Sequence, residues 1–220
     1  MAPLKFYHFG VSPPSRCALL TIRNLKLDVE IILVDLMKGA HLESGFVKLN
    51  PQHTVPTIDD NGFILWESRA IATYLVSSRA PGSSLYPSDV KKRAVVDARL
   101  YLDQSLQLAG RDIMLPIHKG ETTIAQDKKD SVYKLLENFN AFLEGKKYAA
   151  GDELTVADLA LLSSISTLQH LGANFSKFSN LSAWYKRLES VPGFAENEEG
   201  AKFLGDFVKA RVNLTGSWDD

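Results

Sequence analysis

Residues Asn50 to Arg69 read NPQHTVPTIDDNGFILWESR. The stretch divides into a loop, a strand opening at Pro56, a tight turn at Asp60-Asn61-Gly62, a second strand and a helix start near Glu67-Ser68. Asn-Gly between two apolar runs is a strong short-range hairpin signal, because both turn residues tolerate positive φ. Pro56 has no N–H to give to a sheet ladder, so it belongs at a strand start or edge, and the Val55-Pro56 bond is a candidate cis peptide. The Val55 backbone is then free to pair with an extended peptide. Ser68 places a hydroxyl and backbone N–H groups at a helix N-terminus, where a carboxylate is favoured. A strand edge beside a carboxylate seat suits a small anionic peptide.

Upstream, Leu4 to Phe9 is short, apolar and aromatic, closed by Gly10, and reads as a strand. Val11-Ser12-Pro13-Pro14-Ser15 is a rigid loop, and proline is tolerated in the first turn of the helix that follows. That helix, Arg16 to Leu25, carries Leu19, Leu20, Ile22 and Leu25 at packing intervals. Val29 to Val34 is a β-branched run and the second strand. Strand, helix, strand at this spacing predicts a βαβ unit, which the hairpin and a helix over Ser68–Ser78 complete.

Downstream, residues 81–88 form a linker rich in Pro, Gly and Ser, and after it the pattern is helical only. Ser88-Asp89 caps a helix running past Leu108. Val132, Leu135, Leu136, Phe139, Phe142 and Leu143 follow one apolar face, as do Leu181, Trp184, Tyr185, Leu188 and Val191. Between them, Thr155 and Asp158 form a capping box, with Asp in the place of Glu. The next helix is apolar on most sides, which predicts the buried centre of a helical bundle. The expected domains are therefore 1–80, α/β, and 89–220, all-α.

At 220 residues, 45% hydrophobic and 23% charged, the composition is that of an ordinary globular protein. A net charge of −1 carries no signature of nucleic acid or of an anionic membrane as partner. No apolar run approaches the ~18 residues of a membrane span, and no leader is visible at the N-terminus. The single cysteine, Cys17, forbids an intrachain disulfide and fits a reducing, cytoplasmic compartment. His8, His118 and His170 lack metal-ligand spacing, so no metal is expected.

Taken in order, the Ser-Pro-Pro loop, Asn-Pro-Gln-His-Thr-Val-Pro, Glu-Ser-Arg and the Leu-Thr-Val-Ala-Asp box resemble those of a cytosolic glutathione transferase. The serine-type loop and the His-Thr-Val-Pro run are most similar to the insect delta and epsilon classes. The resemblance spans essentially the whole chain. It implies a thioredoxin-like N-terminal domain, an all-α helical-bundle C-terminal domain, an active cleft between them, and a homodimer. It also implies that glutathione is the co-substrate and that its thiolate attacks hydrophobic electrophiles in xenobiotic detoxification, with peroxidase or dehydrochlorinase side activity. The alternative is a non-catalytic carrier of hydrophobic ligands on the same scaffold.

Carried onto this sequence, the resemblance makes Ser12 the hydrogen-bond donor to the glutathione thiolate. Glutathione lies extended along Val55, in the His53-Thr54-Val55-Pro56 run. Glu67 takes the γ-glutamyl ammonium, Ser68 the α-carboxylate with Arg69 as an added cation, and His41 and His53 the glycyl end. Pro14, Leu36, Leu108, Arg111, Leu115 and Phe207 are the expected pocket for the second substrate. Many family members carry aromatics where this chain has Leu108 and Leu115, and Arg111 beside them admits an acidic or polar electrophile. Cys17 falls on the helix and is expected to be structural.

Overall fold

The computed structural model describes residues 3–214 and 216–219, so the outermost positions of the two expected domains lie outside the described residues. Four strands form one mixed sheet in the order β2-β1-β3-β4. β1 (Leu4–His8) runs parallel to β2 (Val29–Leu33), joined by α1 (Pro13–Asn24), and this is the expected βαβ unit. β3 (Thr57–Asp60) and β4 (Phe63–Trp66) pair antiparallel around Asn61-Gly62, both at positive φ as the turn requires. The Val55-Pro56 peptide is cis.

Leu4, Phe6 and Ile58 from the sheet pack with Ala18, Leu19 and Ile22 of α1 and with Ile71 and Leu75 of α3 (Ser68–Arg79). The opposite face is covered by a segment with no signal in the sequence pattern. There Val34 and Val55 meet Phe46 of the short α2 (Ser44–Leu49), which two single 3₁₀ turns precede. Six residues are too few for a periodicity to show.

Irregular chain leads from Ala80 to Asp89, whose carboxylate caps α4 (Val90–His118) by accepting from Lys91 and Lys92 N–H. α5 (Gln126–Phe142), α6 (Val156–His170), α7 (Ser179–Leu188) and α8 (Phe194–Val212) complete the bundle. α6 is its centre, and every side chain from Val156 to Leu168 is buried. The capping box is formed: Thr155 N–H and Oγ1–H both donate to Asp158 Oδ2 at 2.9 Å. Asp158 Oδ1 also accepts from Ala149 N–H at 2.7 Å and Trp184 Nε1–H at 2.8 Å, so one buried carboxylate ties three segments together.

The C-terminal helix α8 was not visible in the sequence pattern. Gly200 and Gly205 interrupt its apolar face, because Gly200 meets the Gly10 backbone across the domain seam and Gly205 meets the end of α6 within the bundle. A Cβ on Gly200 would sit 2.1 Å from the Gly10 carbonyl oxygen, and one on Gly205 would sit 2.4 Å from that of His170. These glycines permit close approaches of backbone to backbone that a Cβ would obstruct.

Candidate active site

The sheet register brings the expected residues to one end. Tyr7 faces Thr57 and Thr57 faces Trp66, so the chain beyond each strand converges there. Gly10–Ser12 leaves β1, Val55-Pro56 enters β3, and Glu67-Ser68 follows β4. Val34 N–H donates to His8 O at 2.9 Å, which carries the 3₁₀ turns holding Leu36 and His41 to the same end.

Ser12 is the N-cap residue of α1, in extended conformation (φ −75°, ψ 118°), with Pro13 and Pro14 opening the helix. Its backbone is fixed: its N–H donates to Phe9 O at 2.9 Å and its carbonyl accepts from Arg16 N–H at 3.1 Å. The Ser12 hydroxyl makes no capping bond, so it is available to a ligand at a helix N-terminus. Neighbouring Ser15 is buried and its hydroxyl accepts from Phe9 N–H at 3.4 Å, a structural role.

Behind this loop lies Arg16, a fully buried residue not singled out in the sequence. Its guanidinium donates to the carbonyls of Gly10 (3.2 Å), Val11 (2.7 Å) and Ser163 (3.2 Å), to Asn197 Oδ1 (3.0 Å) and to Thr167 Oγ1. Burial lowers its pKa to about 9. Cys17 is buried beside it and burial raises the thiol to about 12, which leaves it un-ionised and structural.

The loop before β3 is organised by buried Asn50. Its amide nitrogen donates to Thr54 O (3.1 Å), Thr54 Oγ1 (3.2 Å) and Thr57 Oγ1 (3.0 Å), and its Oδ1 accepts from Gln52 N–H (3.0 Å). Among the described residues the Val55 backbone makes no hydrogen bond, which leaves its N–H and carbonyl open to an extended ligand. His53 is exposed at φ 46°, and its ring centroid lies 6.0 Å from that of His41.

Glu67, not Ser68, is the N-cap residue of α3, and it sits at φ 71°, ψ 108°. A non-glycine residue there costs on the order of 1–3 kcal/mol, and such strain clusters at ligand clamps. Its side chain is exposed. Ser68 opens the helix and is buried; its hydroxyl has no nitrogen or oxygen partner and lies beside the Cys17 thiol. Arg69 differs from the free cation expected. Its guanidinium forms an ion pair at 2.6 Å with Asp103 of α4, a fully buried carboxylate that also accepts from Ser164 Oγ–H at 2.5 Å. Desolvation raises the Asp103 pKa, with Arg69 and Ser164 opposing it.

Between the two domains lies a cavity of about 310 Å³. Pro13, Pro14, Glu67 and Arg69 form its N-terminal wall; Gln104, Gln107, Leu108, Arg111 and Met114 of α4 face them, with Leu168 of α6 behind. Three of the six expected pocket residues, Pro14, Leu108 and Arg111, therefore line one space. The other three do not. Leu36 packs against the Val34–Phe46–Val55 cluster, Leu115, one turn beyond Arg111 on α4, is exposed and outside the lining, and Phe207 is stacked under Arg211. Met114, three residues beyond Arg111, closes the α4 wall of the cavity. A second cavity of about 330 Å³ shares Glu67, Arg69 and Gln104 and extends to Tyr86, Asp97 and Tyr101. Among the described residues no group of three His, Cys, Asp or Glu side chains could hold a metal.

A thioredoxin-like sheet bearing a free N-cap serine, an unpaired strand entry and a strained Glu-Ser helix start, joined to a helical bundle, defines a class. Residues 2–77 match the glutathione S-transferase N-terminal domain and residues 103–192 the C-terminal domain. The chain belongs to the glutathione S-transferase family. It is similar to the unclassified glutathione S-transferase 2 of Bombyx mori (46% identity, 96% of this chain and 99% of that one, TM-score 0.92). A delta-class enzyme of Nilaparvata lugens is 42% identical over 95% of this chain and 100% of its own (TM-score 0.90). An epsilon-class enzyme of the housefly, Musca domestica, is 40% identical over 97% of this chain and 99% of its own (TM-score 0.91). No described helix is long and apolar enough to cross a membrane.

Proposed function

We propose that this transferase binds glutathione along Val55, ionises its sulfur at Ser12 and adds it to hydrophobic electrophiles held in the cavity between Pro14 and α4. The uncommitted Ser12 hydroxyl at the N-cap of α1, at the sheet end shared with Val55 and Glu67-Ser68, carries this reading. A free cysteine thiol has a pKa near ~8.5, so little is thiolate at neutral pH. Lowering it by about two units requires about 2.7 kcal/mol of preference for the anion. One hydrogen bond to a charged group contributes roughly 1.5–3 kcal/mol. The helix N-terminus adds roughly 0.3–1 kcal/mol. Together these suffice, with Ser12 acting as a donor and never as the nucleophile.

Glu67 binds the γ-glutamyl ammonium, the first turn of α3 at Ser68 its α-carboxylate, and His41 and His53 the glycyl end. Thr54, tied to Asn50, and Pro56, with its ring-fixed φ, hold the Val55 backbone in place from either side. Arg69 acts indirectly, by anchoring α3 to Asp103. Rate then comes from thiolate formation and from holding sulfur and electrophile together. We place the enzyme in the cytosol as a homodimer, with the exposed Phe63 of β4 and Tyr101 of α4 as candidate contacts.

The test is Ser12→Ala. The variant binds glutathione but loses the ultraviolet thiolate band of the complex, and kcat/KM falls about 10- to 100-fold. An undiminished band with unchanged turnover removes Ser12 from the mechanism. A chromogenic aryl-halide assay separates enzyme from carrier: turnover supports conjugation, and tight ligand binding without turnover supports the carrier.

A further inference from the structure

Within the cavity, α4 presents two donors one helical turn apart. The amide nitrogen of Gln107 is buried and has no hydrogen-bond partner. Arg111, four residues on, lines the same cavity. Among the described residues Arg111 enters no ion pair, hydrogen bond or ring contact, and its neighbour Asp112 faces Lys128 at 4.0 Å instead. The other charges in the lining are accounted for. Arg69 is neutralised by Asp103, and Glu67, at the opposite wall, is the residue assigned to the glutathione ammonium. Pro13, Pro14, Leu106, Leu108, Met114 and Leu168 give the cavity its apolar walls, while of the polar lining residues Ser164 is committed to Asp103, Thr167 to Ser163 O, and Gln104 lies one turn before Leu108. Residues at i and i+4 share a helix face, so one anionic group can meet both donors. A guanidinium and an orphaned amide donor flanked by apolar walls are complementary to a molecule with an apolar body and a carboxylate.

We propose that Gln107 and Arg111 form an anion-recognition pair that directs this enzyme toward electrophiles carrying a carboxylate. The proposal rests on the reading of the cavity as the electrophile site. Its representative substrate is an aryl α,β-unsaturated ketone bearing a carboxylate. The glutathione sulfur forms a bond to the β-carbon, the alkene electron pair moves to the ketone oxygen as an enolate, and the α-carbon takes a proton from water. The carboxylate is held by α4 and does not react.

The experiment compares that acid with its methyl ester in wild type, Arg111→Met, Arg111→Lys and Gln107→Leu. Wild type favours the acid in kcat/KM by about tenfold, carried by KM, and the preference shrinks with added salt. Arg111→Met brings acid and ester within about twofold, Arg111→Lys restores part of the gap, and Gln107→Leu narrows it less. Dissociation constants for the saturated, unreactive analogues of acid and ester follow the same order. A wild-type ratio near one, or a ratio unmoved in Arg111→Met, overturns the proposal. Failure of the Ser12 reading looks different: Ser12→Ala then turns over acid and ester as fast as wild type, whatever their ratio.

Discussion

Single residues decide whether the Ser12 hydroxyl points at a ligand or at its own helix. Arg16 fixes the loop that carries it, since it holds the carbonyls of both Gly10 and Val11. Arg16→Leu strands those two acceptors and Asn197 Oδ1 in the interior, so stability falls by about 3–5 kcal/mol in denaturant titration and kcat falls with it. Unchanged stability would mean that water reaches these carbonyls. His8, at the end of β1, is nearly buried, and desolvation, then Arg16, lowers its pKa from 6.5 to about 4. The unfolded chain therefore binds the His8 proton first as pH falls. The native state is favoured above pH 6.5, loses that advantage from about 6.5 down to about 4, and loses no more below. The span corresponds to about 3 kcal/mol. His8→Gln should flatten the dependence of unfolding free energy on pH across this window, and an identical slope would show His8 to be solvated.

At the scale of elements, the capping box of α6 is the clearest case of sequence chemistry surviving into structure. Thr155 and Asp158 were legible because a cap is local: three residues of spacing suffice. What could not be read was that the second oxygen of Asp158 receives Trp184 and Ala149. Asp158→Ala therefore removes four acceptor contacts at once and should cost about 3–5 kcal/mol. Thr155→Ala, which touches the cap alone, should cost about 1 kcal/mol. Equal losses in the two variants, measured by midpoint and slope of the same denaturation curve, would show that the Trp184 bond contributes nothing. The opposite situation holds for α2 and α8, which were not legible. α2 is too short for a periodic signal, and α8 has its face broken by glycines whose purpose is visible only opposite Gly10 and His170.

For the whole molecule, the seam between domains is polar where it supports the site. Arg16 reaches from the serine loop to α6 and α8, and Arg69 reaches from α3 to α4. Arg69→Leu leaves the Asp103 carboxylate buried and unpaired, so about 3–5 kcal/mol is lost; removal of both charges in Arg69→Leu/Asp103→Leu recovers much of it. No recovery in the double variant would mean that the two residues act separately. Close backbone approach supports the same seam. Gly200→Ala would drive a methyl group into Gly10 O and the Arg16 side chain, and should cost about 1–3 kcal/mol while displacing Ser12. Glutathione affinity and thiolate absorbance would report that displacement directly.

The sequence by itself determined the strand and helix runs of the βαβ unit, the hairpin at Asn61-Gly62, the cap of α6 and the serine before α1. Each follows from residues within a few positions of one another, where backbone sterics and local hydrogen bonds decide. Only the tertiary structure decided that Arg69 is bound to Asp103, that Arg16 holds the loop, and that Met114, Gln107 and Arg111 share a cavity from which Leu36, Leu115 and Phe207 are absent. The physical reason is that desolvation and charge pairing depend on which distant side chains close around a group, and chain spacing carries no record of that.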